Sequence, residues 1–159
     1  MLAAQRSDRV ASLVLAVTSP GGPRAVERSA EVRRALADPD EAKRRAALVR
    51  LFYTPSWAED ATRSRLLGDP SMTPADRQRH LRMSARHDAW DLLPEITSPV
   101  LVMHGSDDEM TPPINATMLT DRLRHARLHV HPGGRHGFFD EFADDLDPVL
   151  DAFWTSIRA

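Results

Sequence analysis

Residues 99–112 read Pro-Val-Leu-Val-Met-His-Gly-Ser-Asp-Asp-Glu-Met-Thr-Pro. Val100 to Met103 is apolar at every position, not at alternate ones, which is the pattern of a strand covered on both faces in a parallel sheet. His104-Gly105 ends the run. Asp108 stands just past its carboxyl end, where open α/β sheets place their functional groups. Working outward, a helix is predicted from about Pro113 to Arg124. A strand follows over Arg127–His131, with Leu128 and Val130 on one face and His129 and His131 on the other. The loop Pro-Gly-Gly-Arg-His-Gly-Phe-Phe (132–139) comes next, then a final helix from about Asp144 to Ile157. Toward the N-terminus, Leu13–Val17 is a second doubly apolar run. It is bounded by Asp8-Arg9 and by the turn string Ser19-Pro20-Gly21-Gly22-Pro23, and Met1–Arg6 reads as the tail of a helix feeding it. Strand, helix and strand in this order predict an α/β fold with a parallel sheet.

Between the first two strands lies a polar helical region, residues 20–90, with 14 basic and 10 acidic side chains. Helices are expected near 24–37, 41–53, 57–67 and 74–88. Asp40 is a candidate cap for the second. Ser56-Trp57-Ala58-Glu59 forms a capping box, and Thr73-Pro74-Ala75-Asp76 puts proline at the first helical position. Breaks fall at Asp38-Pro39, Thr54-Pro55 and Gly68-Asp69-Pro70. None of the four has a long apolar stripe, so they should lie over something larger than themselves.

Composition narrows the classes of function. The chain has 159 residues, 42% hydrophobic and 28% charged, which suits one globular domain. Its 21 basic and 23 acidic residues nearly cancel, against a general nucleic-acid binder. Twenty of the basic residues are arginine and only Lys43 is lysine, read as a bias of the source genome. Without cysteine there is no disulfide, thiolate nucleophile or cysteine zinc site. No apolar run approaches the ~18 residues of a membrane span, and the first residues lack the apolar core of a signal peptide. The cytoplasm is the expected location, with no membrane partner.

Two strand ends carry the chemistry. Asp108 follows one strand, and His136 sits in the glycine-rich loop after its neighbour. A carboxylate there can hold one imidazole nitrogen, fix the tautomer and leave the other nitrogen as a general base.

These residues resemble the α/β-hydrolases, in particular lid-bearing esterases and enol-lactonases. The acid of that family lies in a stretch resembling "strand, His-Gly, two residues, Asp, three residues, Pro", here Val100–Met103, His104-Gly105, Asp108 and Pro112. Its histidine lies in a loop resembling Gly133-Gly134-Arg135-His136. Asp8-Arg9-Val10 with Leu13-Val14-Leu15 is similar to the run leading into the strand after the nucleophile helix. The resemblance covers essentially the whole chain. It implies a partial α/β-hydrolase fold of about three parallel strands with flanking helices, built from residues 1–19 and 91–159, with residues 20–90 as an inserted helical lid. It implies catalytic roles for Asp108 and His136, a small ester or lactone substrate, and no cofactor. Dehalogenases, peroxidases and C–C hydrolases share the layout.

The chain departs from the family: it contains no Gly-x-Ser-x-Gly, and the loop that supplies half of the oxyanion hole and about five strands of the sheet are missing too. Ser106 follows Gly105 but precedes Asp107-Asp108, with no strand-to-helix elbow. By the family's layout the nucleophile would lie roughly ten residues before Met1, so the chain is expected to be the C-terminal portion of a hydrolase. The other class of reading is a non-catalytic remnant or interaction module, because acyl-enzyme chemistry needs a nucleophile. Leu13–Val17 would then be a bare apolar edge that invites a second copy or a partner chain.

Plainer roles are expected for the remaining candidates. Asp107 competes as the acid, but the spacing to Pro112 favours Asp108. His104 reads as structural. His125, His129, His131 and His136 are close in sequence, yet no carboxylate is spaced to complete a metal site with them. Gly21-Gly22 reads as an entry into the lid and not as an oxyanion loop. Phe52, Trp57, Met72, Met83 and Trp90 read mostly as packing of lid on sheet.

Overall fold

A computed structural model describes residues 2–57, 61, 64, 66–69 and 71–158. Three strands, β1 (Leu13–Ala16), β2 (Val100–Gly105) and β3 (Ala126–His131), form one parallel sheet in the order β1-β2-β3. Leu13 pairs with Val100, and Val100 with Ala126. The run predicted as a strand covered on both faces is β2, which lies in the middle of the sheet with all six of its residues buried. β1 is half-buried along its length and occupies an edge.

Alternation along β2 divides the core in two. Val100 and Val102 face one layer, with Ala3 of helix α1 (Leu2–Gln5), Leu93 and Ile96, and Ala116 and Leu119 of α5 (Ile114–Arg122). Leu101 and Met103 face the other. There they meet Phe138 of the short α6 (Phe138–Glu141) and Leu146 and Phe153 of α7 (Ala143–Arg158). Burying a Val, Leu, Ile, Met or Phe side chain is worth about 1.5–3 kcal/mol, so these two layers hold the sheet.

The helical region has its own smaller core of Tyr53, Ala61 and Leu67, backed by Leu48, Val49, Phe52 and Trp57. Its helices start where the caps say. Ser29 accepts from the Val32 amide at the start of α2 (Ala30–Leu36), and Asp40 from Ala42 and Lys43 at α3 (Glu41–Phe52). Thr73 accepts from Asp76 at α4 (Pro74–Ala85). The first helix is shorter than the predicted 24–37. Gly22–Arg24 forms a 3-10 turn instead, and the chain becomes helical only after Ser29 can satisfy the free amides. Much of the helix expected at 57–67, with Ala58 and Glu59 of its capping box, lies outside the described residues. A 3-10 turn at Trp90–Glu95 and α6 were not expected.

The region leaves and rejoins the sheet layer at one place. Gly22 N–H donates to His87 O (2.8 Å) and Ala89 N–H to Pro20 O (2.8 Å), with an antiparallel bridge between Gly21 and Asp88. Gly21 and Gly22 have φ of 69° and 61°, the left-handed conformation that glycine adopts without strain. No helix is long and apolar enough to cross a membrane among the described residues.

Candidate active site

β2 and β3 run parallel, so their carboxyl ends lie side by side, and the two loops that leave them meet. Ser106 N–H donates to His131 O (3.0 Å) and Asp107 N–H to Gly134 O (2.9 Å). Within this seam Asp108 is 2% exposed. Its Oδ1 accepts from the amides of Met110 (2.8 Å) and Thr111 (2.9 Å). Its Oδ2 lies 2.9 Å from His136 Nδ1. Burial pushes the Asp108 carboxyl up, but the N–H groups of His104 and His136 and the Thr111 amide more than offset this. The carboxyl is therefore held below the ordinary carboxylate range and stays ionised.

His136 faces a carboxylate, which only accepts, so its Nδ1 carries a proton, and in the neutral ring Nε2 is the nitrogen left to accept. The ring is packed edge-on against Phe52 of α3, with centroids 4.9 Å apart. The backbone on both sides is tied to the same helix end. His136 N–H donates to Leu51 O (3.2 Å) and Gly137 N–H to Phe52 O (2.8 Å). Arg135 Nη1 donates to Arg50 O (2.6 Å) and Tyr53 O (2.8 Å). The last carbonyls of a helix have no partner within the helix. Here the histidine loop supplies their donors, and a cation sits at the negative end of the helix dipole. A second tie joins α3 to the acid loop, where Arg50 Nη1 meets Glu109 Oε1 at 3.0 Å.

His136 opens onto a cavity of about 510 Å³. Val17, Thr18, Ser19, Gly21 and Gly22 line it from the β1 side, Arg28 from the segment before α2, and Leu81 from α4. Val17 turns the chain out of β1 with φ 45°, a left-handed conformation that is strained for a β-branched residue. The segment bearing Arg28 is anchored by the buried Asn115, whose side chain accepts from Val26 N and donates to Val26 O, both at 2.9 Å.

The sequence-predicted pair, Asp108 and His136, is brought together. Asp107 is exposed and takes the Ser106 hydroxyl instead (2.6 Å). Ser106 Oγ also accepts from Gly133 N (2.8 Å). Among the described residues no group of three or more His, Asp or Glu is placed to hold a metal ion. His131 packs on Phe138 and Phe142, with His129 beside it. Gly21-Gly22 line the cavity at the entry to the helical region. Trp90 does not line the cavity but packs against the core layer of Val100 and Val102, as expected, with the guanidinium groups of Arg24 (5.5 Å) and Arg122 (5.3 Å) over its ring. Met83 is 73% exposed, neither packed nor lining. Sequence reasoning missed Arg135. Its partners are carbonyls some 80 positions away, which no local pattern shows.

Known proteins agree with this architecture. The family model described as serine aminopeptidase, S33, matches residues 61–143, just over half of the chain. The chain belongs to that family of α/β-hydrolases. It is 34% identical over 62 residues to serine hydrolase BPHL of Mus musculus, a stretch covering 39% of this chain and 21% of that protein. It is 34% identical over 113 residues to a pimeloyl-[acyl-carrier protein] methyl ester esterase of Neisseria meningitidis, covering 65% and 36%. Among solved structures, the non-heme bromoperoxidase BpoC of Mycobacterium tuberculosis superposes with a TM-score of 0.77 at 19% identity, over 99% of this chain and 62% of that one. A 2-hydroxy-6-oxo-6-phenylhexa-2,4-dienoate hydrolase from Rhodococcus superposes with a TM-score of 0.71 at 24% identity, over 97% and 58%. These superpositions show the fold. The chain spans about three fifths of the length of these solved structures, and its matches to curated relatives span less.

Proposed function

We propose that this chain supplies the acid and the base of a serine-hydrolase triad that cleaves a small carboxylic ester or lactone. The observation that carries the reading is the 2.9 Å contact between His136 Nδ1 and the buried, ionised Asp108. With Nδ1–H held by the carboxylate, His136 Nε2 takes the proton of an attacking hydroxyl, and Asp108 stabilises the imidazolium that forms. Nε2 then returns the proton to the leaving group and activates the water that releases the acyl group. The reading requires a nucleophile from other polypeptide, since the 159 residues contain no Gly-x-Ser-x-Gly. Residues 20–90 act as the lid over the cavity. The pairing of Pro20 and Gly22 with Ala89 and His87, which joins the two ends of that insertion, supports this. Similar proteins include pimeloyl-[acyl-carrier protein] methyl ester esterases beside non-heme haloperoxidases, and the esterases support ester chemistry.

Nitrophenyl butyrate hydrolysis, measured on the product of the complete reading frame, tests the proposal. His136→Ala and Asp108→Ala are each expected to lower kcat by about 10²–10⁴, the usual worth of a positioned acid–base group. Activity that survives both substitutions overturns it.

A second reading is favoured by the sheet edge. β1 is apolar, half-buried and paired on one side only within the described residues. Such an edge recruits another strand, which makes the chain an interaction module as it stands. Sedimentation should then show self-association or a bound partner. A monomer with one sharp melting transition would contradict this reading.

A further inference from the structure

His104 is the one fully buried imidazole beside the site, 0% exposed at the end of β2. Its Nε2 lies 2.8 Å from Thr111 O and 3.2 Å from Asp108 Oδ2. A carbonyl oxygen and a carboxylate both only accept, so Nε2 carries the proton. In the neutral ring Nδ1 then presents a bare lone pair, buried with no partner among the described residues. Burying an unsatisfied acceptor is unfavourable. An apolar residue of similar size would avoid that cost, so the Nε2–H must be what the position needs.

Its surroundings say what it does. Thr111 is held from both ends: its amide donates to Asp108 Oδ1 (2.9 Å) and its carbonyl accepts from His104. Asp108 Oδ2 therefore has two imidazole N–H groups near it, His136 at 2.9 Å and His104 at 3.2 Å. The other groups facing the carboxylate are the Met110 and Thr111 amides. Of the nearby charges, Arg50 is engaged with Glu109 and Arg135 with the carbonyls of α3, while Glu27 and Arg28 line the cavity onto which His136 opens.

We infer that His104 is a positioning residue that closes the acid loop on Thr111 and shares the negative charge of Asp108 Oδ2, thereby setting how strongly that carboxylate grips His136. The inference rests on the proposed roles of Asp108 and His136. It departs from the purely structural role that the sequence suggests, in that His104 acts through Asp108 on the histidine loop.

Proton and ¹⁵N NMR of the 159-residue chain tests it, with the ring N–H resonances as the readout. The wild-type spectrum should show His104 protonated at Nε2 and His136 at Nδ1. In His104→Leu the Oδ2 charge falls to His136 alone, so its Nδ1–H bond strengthens and its resonance moves downfield. Glutamine carries its amide N–H to the place of Nε2, and asparagine only to that of Nδ1. His104→Gln should therefore keep the wild-type resonance, and His104→Asn should behave like His104→Leu. If Gln and Asn act alike, or the resonance moves upfield, the inference fails. Asp108→Asn keeps the question decidable if the leucine variant does not fold. It should shift the ring N–H resonances of both histidines. A change at His136 alone overturns the role of His104 and leaves the acid–base pair standing, whereas no change at His136 overturns the pair itself.

Discussion

A Cβ added to Gly105 would stand 2.1 Å from the carbonyl oxygen of Gly134. The last residue of β2 and the histidine loop therefore touch backbone to backbone, and only glycine permits it. This approach sets the spacing at which Asp108 and His136 meet.

Gly105→Ala is accordingly expected to push the two loops apart. Overpacking of this kind costs about 1–3 kcal/mol. The melting temperature should fall, and the His136 Nδ1–H resonance should broaden or vanish, which a substitution destabilising only distant parts of the fold would not produce.

Arg135→Met should loosen the end of α3 from the histidine loop. Two hydrogen bonds from a charged donor are lost, each worth about 1.5–3 kcal/mol. Amide hydrogen exchange should quicken at His136 and Gly137, whose N–H groups bond the carbonyls of Leu51 and Phe52. Exchange in β2 should be unchanged.

The two loops were legible in the sequence for a physical reason. The runs at Leu13–Val17 and Pro99–Met103 are apolar at consecutive positions, and a strand covered on both faces needs that pattern. Asp108 and His136 follow from where parallel strands end. The caps at Asp40 and Thr73 are local and legible, whereas the start predicted at residue 24 overran the cap at Ser29, because the glycine-proline turn before it resembles a helix entry. What stayed hidden is long-range: the clasp of Arg135 on α3, the contact of Phe52 with His136, and the approach of Gly105 to Gly134. None leaves a periodic mark in the chain.

Acid should weaken the fold through Asp108. Its carboxyl lies below the ordinary 3.8 in the folded state, so the unfolded chain takes up a proton first as pH falls. The stabilisation is present above about pH 4 and is lost as pH drops through the lower folded value. Melting temperatures of wild type and Asp108→Asn, measured from about pH 5 to pH 2, should converge toward the acid end.

His129 should act in a higher window. Burial first, and then His131, hold its pKa below 6.5, so the folded state resists its protonation. Its contribution is present above about pH 6.5 and is lost as pH falls below that value. His129→Gln should lose less stability between about pH 7 and pH 5 than the wild type, by thermal melts in matched buffers.

The most direct measurement is labelling with a fluorophosphonate, which traps a serine only when a base activates it. The protein made from the complete reading frame should be labelled at one serine within a Gly-x-Ser-x-Gly. Labelling should be lost in His136→Ala and strongly slowed in Asp108→Ala. Labelling undiminished by both substitutions would contradict the assignment of Asp108 and His136 as acid and base.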